Sequence, residues 1–133
     1  MEIRAVSKSV RVSPRKVRLV AQVIRNQKAD DALRTLYLLK KRGSMVLEKT
    51  LKSAIANATN NANLKREDLV IKSLDVLEAP AYKRYHPSTR GRIHPYKKRG
   101  SHITIVLEDL KVESPKEEVK KEVKEEKKEE EVK

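Results

Sequence analysis

The stretch from 79 to 99 is the part of this chain that most restricts how it can fold. It contains seven Lys and Arg residues, three Tyr and three Pro, and no Asp or Glu. We expect no regular apolar face along this stretch, so its side chains cannot pack against the rest of the protein. Gly91 stands near the middle, where a chain reversal needs a residue that tolerates positive φ. These features predict a long protruding β-hairpin at about 79–101; the alternative is a disordered loop.

The charge of the whole chain indicates a polyanionic partner. Its 133 residues include 32 Lys and Arg against 19 Asp and Glu, for a formal net charge of +13. Such an excess repels itself unless counter-ions or phosphates neutralise it. In the 79–99 stretch, arginines could contact phosphates while tyrosines stack on bases. The alternative is a basic protein that is merely soluble.

Composition also excludes several kinds of protein. The chain has no Cys, which excludes disulfides and thiolate metal sites and fits a reducing compartment. No apolar run approaches the roughly 20 residues that span a bilayer, and no signal peptide is visible. We therefore expect no membrane partner and a cytoplasmic location. Phe and Trp are absent, so the core must be built from Val, Ile, Leu and Ala.

A change in composition near Glu113 divides the chain. Residues 113–133 contain nine Glu and seven Lys with almost no apolar residues, which predicts a disordered charged tail. Residues 1–112 carry 25 Lys and Arg against 10 Asp and Glu, so the basic excess belongs to this part. We expect 1–112 to form a single RNA-binding domain.

Apolar spacing inside 1–112 predicts three helices and three strands. A β-like segment covers 2–12, and Ser13-Pro14 starts a helix to about Asn26, with Ser as N-cap and Pro at its first position. A second helix covers about 29–39. Gly43-Ser44 is expected to break the chain before a third helix to about Asn63. Strands are predicted at 69–77 and 102–107.

No catalytic or metal site is expected. The three His residues lie apart from Cys or a convergent carboxylate pattern, so no metal or cofactor is predicted. The acidic pairs are sequence neighbours that would not converge on one substrate, and no Gly-rich phosphate loop exists. Ser13 and Lys16 match a bare S-x-x-K pattern without its usual partner motifs, and helix capping explains Ser13.

Two blocks of sequence resemble the bacterial large-subunit ribosomal protein L-twenty-two family. The first is Ser13-Pro14-Arg15-Lys16-Val17-Arg18-Leu19-Val20, with Ser53-Ala54-Ile55-Ala56-Asn57-Ala58 on the third helix. The second is the hairpin and its return strand: Lys83-Arg84, then Gly91-Arg92, then Ser101-His102-Ile103-Thr104-Ile105-Val106. The resemblance covers about residues 4–108. One departure is Ser88-Thr89, where the family usually has a basic and then a small residue.

The resemblance implies an α+β fold of three helices packed on a three-stranded antiparallel sheet. It implies a structural constituent of the large ribosomal subunit that binds ribosomal RNA, supports assembly and lines the nascent-peptide exit tunnel with its hairpin, close to where macrolides bind. The expected partners are this RNA, neighbouring ribosomal proteins and the passing nascent peptide, with no small-molecule substrate.

Two sets of site residues are predicted, the RNA-binding set from the residue pattern together with the resemblance, and the tunnel-lining set as what the resemblance alone implies. The RNA-binding set is Arg11, Ser13, Arg15, Lys16, Arg18, Lys83, Arg84, Tyr85, Arg90, Arg92, Tyr96, Lys97, Lys98, Arg99, Ser101 and His102. The tunnel-lining set is Lys83, Arg84, Ser88, Thr89, Arg90, Gly91 and Arg92.

Two other functions remain open from sequence. One is an architectural protein that bends DNA with a basic β-ribbon. Against it, the tip around Arg90 lacks a proline or large aliphatic wedge, although Ile93 is close. The other is a hydrolase built on Ser13 and Lys16.

Overall fold

The computed structural model describes residues 2–109, and the tail predicted at 113–133 lies outside this range. The elements, in chain order, are β1 (Glu2–Val10), α1 (Pro14–Ile24), α2 (Ala29–Leu38), α3 (Arg42–Ala62), β2 (Leu69–Pro87) and β3 (Ile93–Asp109). Single 3-10 turns lie at Arg66–Asp68 and Thr89–Gly91. The strands form one antiparallel sheet in the order β1-β3-β2. The predicted α+β fold, three helices on a three-stranded sheet, is confirmed.

The core lies between the helices and one face of the sheet, and its apolar side chains are all aliphatic. The central strand β3 contributes Ile103, Ile105 and Leu107, all fully buried. Alternate positions of a strand point to the same face, which is why these three residues enter the core together. Opposite them lie the apolar stripes of α1 and α3, including Val17 and Leu51.

Helix α1 begins as predicted, with Ser13 as N-cap and Pro14 in the first turn, but no side-chain hydrogen bond caps it. The Ser13 carbonyl instead accepts from the amides of Lys16 and Val17 at 3.1 and 3.3 Å. The predicted break at Gly43-Ser44 was wrong by two residues. Lys41 is the N-cap of α3, and the Ser44 hydroxyl accepts a hydrogen bond from the Lys41 amide.

The strands also differ from prediction in length. Segments 69–77 and 102–107 were expected to end where the hairpin began, whereas β2 and β3 run without interruption from the body into the hairpin. Strand β1 stops pairing with β3 at Val10↔Ser101. Beyond that point the sheet has two strands, and this two-stranded part, residues 79–100, is called the arm below. None of the helices within residues 2–109 is long and apolar enough to cross a membrane.

Candidate nucleic-acid interface

The arm is a two-stranded ribbon paired as far as Pro87↔Ile93. At about 3.3 Å per residue it extends roughly 30 Å from the body. Both of its strands are edge strands, and proline is tolerated at such positions because its nitrogen can face solvent. This explains why Pro87 and Pro95 do not prevent pairing. Apart from Ala81 and Tyr96, which are half-buried, every side chain from Pro80 to Arg99 is exposed.

A β-bulge marks the root of the arm. Ala79 pairs with Gly100, but the next pair is Tyr82↔Lys98, so two residues of β2 lie opposite Arg99 alone. A bulge changes which side chains share a face, since directly paired residues point the same way. The register after the bulge therefore determines the chemistry of both faces of the arm.

One face, here called the cationic-aromatic face, consists of Tyr82, Arg84, His86, His94, Tyr96 and Lys98. The His86 and Tyr96 rings stack with centroids 4.4 Å apart and planes 19° apart. The Arg84 guanidinium lies over the Tyr82 ring, 5.7 Å from its centroid. Flat rings and guanidinium planes of this kind are the side chains on which unpaired bases stack.

The opposite face combines two lysines with an apolar patch. Lys83 pairs with Lys97 nearest the body, and the pairs Tyr85↔Pro95 and Pro87↔Ile93 follow toward the tip. Tyr85 and Ile93 are 62% and 64% exposed. The prediction that no apolar face runs along the arm was therefore wrong for its outer half, because cross-strand pairing brings together residues that are scattered in sequence.

The tip is a tight turn held by backbone hydrogen bonds. The Ser88 amide donates to the Arg92 carbonyl at 2.8 Å, and the Arg92 amide to the Thr89 carbonyl at 3.3 Å. Gly91 has a φ of 72°, which confirms the predicted reversal, and Arg90 also has a positive φ of 55°. All five residues from 88 to 92 are exposed.

Three predicted RNA-binding residues hold the body together. Both the Nε and Nη2 atoms of Arg18 donate to the Val76 carbonyl, at 3.2 and 2.9 Å, which ties α1 to β2. The Ser101 side chain is fully buried and its hydroxyl donates to the Val12 carbonyl at 3.0 Å. The Nδ1 atom of His102 accepts the Ser9 amide at 3.0 Å. These contacts position the arm root. The side chains of Arg11, Arg15 and Lys16 are exposed.

Charge is distributed unequally between the two ends of the molecule. The arm end carries the basic residues described above. Seven of the ten acidic residues of 1–112 gather at the opposite end, here called the acidic end: Glu2, Asp30, Asp31, Glu67, Asp68, Glu108 and Asp109. Pairing of Glu2 with Glu108 and of Leu69 with Asp109, and the ion pair of Arg66 with Asp30, bring them together. Within residues 2–109, no group of His, Asp and Glu side chains could hold a metal ion.

Comparisons with known proteins agree with one another. The ribosomal protein L22p/L17e family matches residues 5–108. The large ribosomal subunit protein uL22 of Pelotomaculum thermopropionicum is 47% identical over 111 residues, covering 84% of this chain and 98% of that protein. Those of Staphylococcus haemolyticus and Staphylococcus aureus are 45% identical over 114 residues, covering 86% of this chain and 97% of theirs. The family match includes the body and the whole arm.

Proposed function

The chain belongs to the ribosomal protein L22p/L17e family, and from that premise we propose that it binds large-subunit ribosomal RNA through its arm end. It is a structural constituent of the ribosome, in keeping with a non-catalytic role. We further propose that it supports subunit assembly and that its arm lines the nascent-peptide exit tunnel. The RNA, neighbouring ribosomal proteins and the nascent peptide are its proposed partners.

The observation that carries the RNA-binding proposal is the arm itself. Seven Lys and Arg residues stand between 79 and 99 without an acidic residue. They are displayed on a ribbon that projects from the body, and within residues 2–109 the only ion pair that they form is that of Arg99 with Glu78 at 2.8 Å. Releasing counterions from RNA phosphates would drive association, and the cationic-aromatic face would add stacking on bases.

The unequal charge of the two ends supports one orientation of the protein on the RNA. The arm end would enter the RNA, because phosphates attract it, and the acidic end would face away from RNA for the opposite reason. The exposed Arg11, Arg15 and Lys16 side chains would contact phosphates at the entry point. Lys97 and Lys98 would continue these contacts along both faces of the arm.

A salt titration tests the RNA-binding proposal. If about a third of the 25 basic residues of 1–112 meet phosphates, log Kd against log salt should have a slope steeper than about 4 in magnitude. Replacing Lys97 and Lys98 with Ala should reduce that slope by about 2. A matched variant with Lys49 and Lys52 of α3 replaced should keep it. A nearly salt-independent affinity for large-subunit RNA would contradict the proposal, and equal affinity for duplex DNA would favour the DNA-bending alternative.

The test of the tunnel proposal uses assembled ribosomes that hold a stalled nascent chain. A photoreactive group placed at Thr89 or Arg92 should crosslink to a peptide held within the tunnel of assembled ribosomes. The same group at Arg34 on α2 serves as the control and should not react with the peptide. Crosslinking of the tip to RNA and proteins alone would argue against a tunnel-lining tip.

A further inference from the structure

A cavity of about 470 Å³ lies at the root of the arm, at the junction of three elements. Arg11 follows the end of β1, Arg42 begins α3, and the remaining lining residues belong to the arm: Tyr82, Arg84, Lys98, Arg99 and Gly100. The volume falls in the range of sites that hold small ligands. This set of residues is called the arm-root pocket below.

Close backbone contacts shape this pocket. A Cβ atom on Gly100 would lie 3.0 Å from the Val10 carbonyl oxygen, so glycine lets the end of β1 approach the arm. A Cβ on Gly43 would lie 3.0 Å from the Lys16 carbonyl oxygen, so glycine also lets the start of α3 approach α1. The neighbouring residue Arg42 is thereby held near the arm. The bulge between Ala79 and Tyr82 completes the pocket by directing Tyr82 and Lys98 to the same face.

The lining of the pocket is positively charged and lacks any acidic residue. Arg99 is the one lining residue that forms an ion pair within residues 2–109, with Glu78 outside the pocket lining. Four cations remain without a counter-ion there: Arg11, Arg42, Arg84 and Lys98. Like charges gathered in this way repel one another, so an anion that enters the pocket would relieve the repulsion.

The pocket also offers an aromatic surface. Tyr82 is 46% exposed, and the Arg84 guanidinium lies over its ring, 5.7 Å from the ring centroid. A free phosphate would use the cations but not this ring. A nucleotide would use both, since its phosphate meets the cations and its base stacks on the ring or on the guanidinium plane.

We propose that the arm-root pocket binds a single unstacked nucleotide of the RNA, with its phosphate held by Arg11 and Arg42 and its base against Tyr82. This inference rests on the proposed RNA-binding function and adds a defined subsite to it. Arg42 and Tyr82 stand 40 residues apart in sequence. Arg42 was not among the predicted RNA-binding residues, and Tyr82 was expected to stack on a base only as one of the three tyrosines of 79–99. The base would anchor the point at which RNA passes from the body to the arm.

The test uses the full chain and a large-subunit RNA transcript carrying 4-thiouridine. Arg42→Ala should reduce the magnitude of the salt slope by about 1, and Tyr82→Leu should weaken binding about five- to a hundredfold. Arg34→Ala and Tyr37→Leu are matched controls on α2, since both side chains are exposed and far from the arm in sequence. They should bind as the unsubstituted protein does. Irradiation should crosslink a base to the peptide that contains Tyr82.

The outcomes separate the two proposals. If the unsubstituted protein binds RNA with the expected salt dependence but the pocket variants match their controls, the pocket is not a nucleotide site and RNA binding stands. The same conclusion follows if inorganic phosphate competes for the pocket while no crosslink forms at Tyr82. If the unsubstituted protein does not bind the transcript, both proposals fail. Circular dichroism of each variant checks folding, and because Arg42 and Tyr82 are exposed, we expect it to be unchanged.

Discussion

At the scale of single residues, Arg90 and Gly91 at the arm tip show where backbone conformation restricts the side chain. Their φ angles are 55° and 72°. A Cβ on Gly91 would meet no atom within 4 Å, so glycine is required there for its conformational freedom and not for space. Arg90 adopts the left-handed region without that freedom, at a cost of roughly 1–2 kcal/mol.

We expect Gly91→Ala to destabilise the closed tip by about 1 kcal/mol, because alanine is strained at this φ. Arg90→Gly should have the opposite effect on tip closure while removing one charge. Hydrogen exchange at the Ser88 and Arg92 amides measures both changes. Ser88→Ala is the control, since its φ of −130° suits any residue. Faster exchange in Arg90→Gly than in the unsubstituted protein would contradict this account.

Lys72 illustrates how one residue stabilises a like-charged pair. Glu2 and Glu108 lie directly opposite each other on β1 and β3. The Lys72 ammonium reaches both carboxylates, at 2.7 and 3.0 Å. Its hydrogen bond, and then its charge, hold the pKa of Glu2 below its ordinary value. The hydrogen bonds to Glu2 and Glu108 raise the pKa of Lys72.

These pKa shifts determine how the stability of the folded state depends on pH. The lowered pKa of Glu2 favours the folded state at neutral pH, and the benefit is lost as the pH falls through that pKa. The raised pKa of Lys72 also favours folding at neutral pH, and that benefit is lost at high pH. Lys72→Met should return the pKa of Glu2 toward its ordinary value in an NMR titration. Lys52→Met, which removes the ion-pair partner of Glu48 instead, should leave the pKa of Glu2 at its lowered value.

At the scale of elements, the contact between α1 and α3 depends on Gly43. Exchanging glycine for alanine within a helix usually stabilises it by roughly 0.5–1 kcal/mol. Here the added Cβ would lie 3.0 Å from the Lys16 carbonyl oxygen and 3.4 Å from Val20. A helix backbone cannot move away without disturbing its own packing. The free-energy cost of the close contact should therefore exceed the stabilisation that alanine gives the helix.

We therefore expect Gly43→Ala to lower the free energy of unfolding by about 1–2 kcal/mol, as overpacking does. Urea denaturation measures the change. Lys49→Ala on the exposed side of α3 should stay within about 0.5 kcal/mol of the unsubstituted protein. A stabilising effect of Gly43→Ala would show that the two helices separate easily.

The arm is the element whose order should depend most on a partner. A two-stranded ribbon is marginally stable in water by itself, and ordering its backbone costs roughly 1–2 kcal/mol per residue. Within the described residues, the stack of His86 on Tyr96 and the placement of Arg84 over Tyr82 add side-chain contacts along the cationic-aromatic face.

In the free protein we expect residues 81–98 to move on the nanosecond timescale and to become rigid in the ribosome. NMR order parameters of the isolated protein provide the measurement, with Ile103–Leu107 in the body as an internal reference. Deleting Tyr82-Lys83-Arg84 should leave the body folded and displace the tip. Uniformly high order parameters through Gly91 without RNA would mean that the hydrogen bonds between the two strands are enough to keep the arm ordered.

At the scale of the whole molecule, the separation of charge should govern how the protein approaches RNA. A dipolar protein is steered so that its basic end arrives first. Glu67→Lys combined with Asp68→Lys would place positive charge at the acidic end. We expect this variant to bind unrelated RNA more tightly while gaining little for large-subunit RNA, which a filter-binding competition measures. Glu67→Gln with Asp68→Asn, which removes charge without reversing it, should have a smaller effect. Equal gains for both RNAs would contradict the steering account.

Much of the fold and of the arm could be predicted from sequence, because these features depend on local residue patterns. The apolar spacing of Val17, Val20 and Ile24 predicts a buried helix stripe, and all three are buried. The charge run around a central glycine predicts an arm that reverses at Gly91, as the structure has it. The boundary of α3 was less predictable, since Gly43 suggested a break but serves a close packing contact inside the helix.

The sequence by itself determined the number and type of the elements, the position of the arm and the concentration of positive charge on it. Helix periodicity, turn chemistry and charge are properties of neighbouring residues. Only the tertiary structure decided which residues of the arm share a face, because a bulge at its root sets the register and a shift of one residue would exchange the two faces. Only the structure brings Arg42 to Tyr82, since that proximity depends on helices packing against a sheet, which no local pattern encodes.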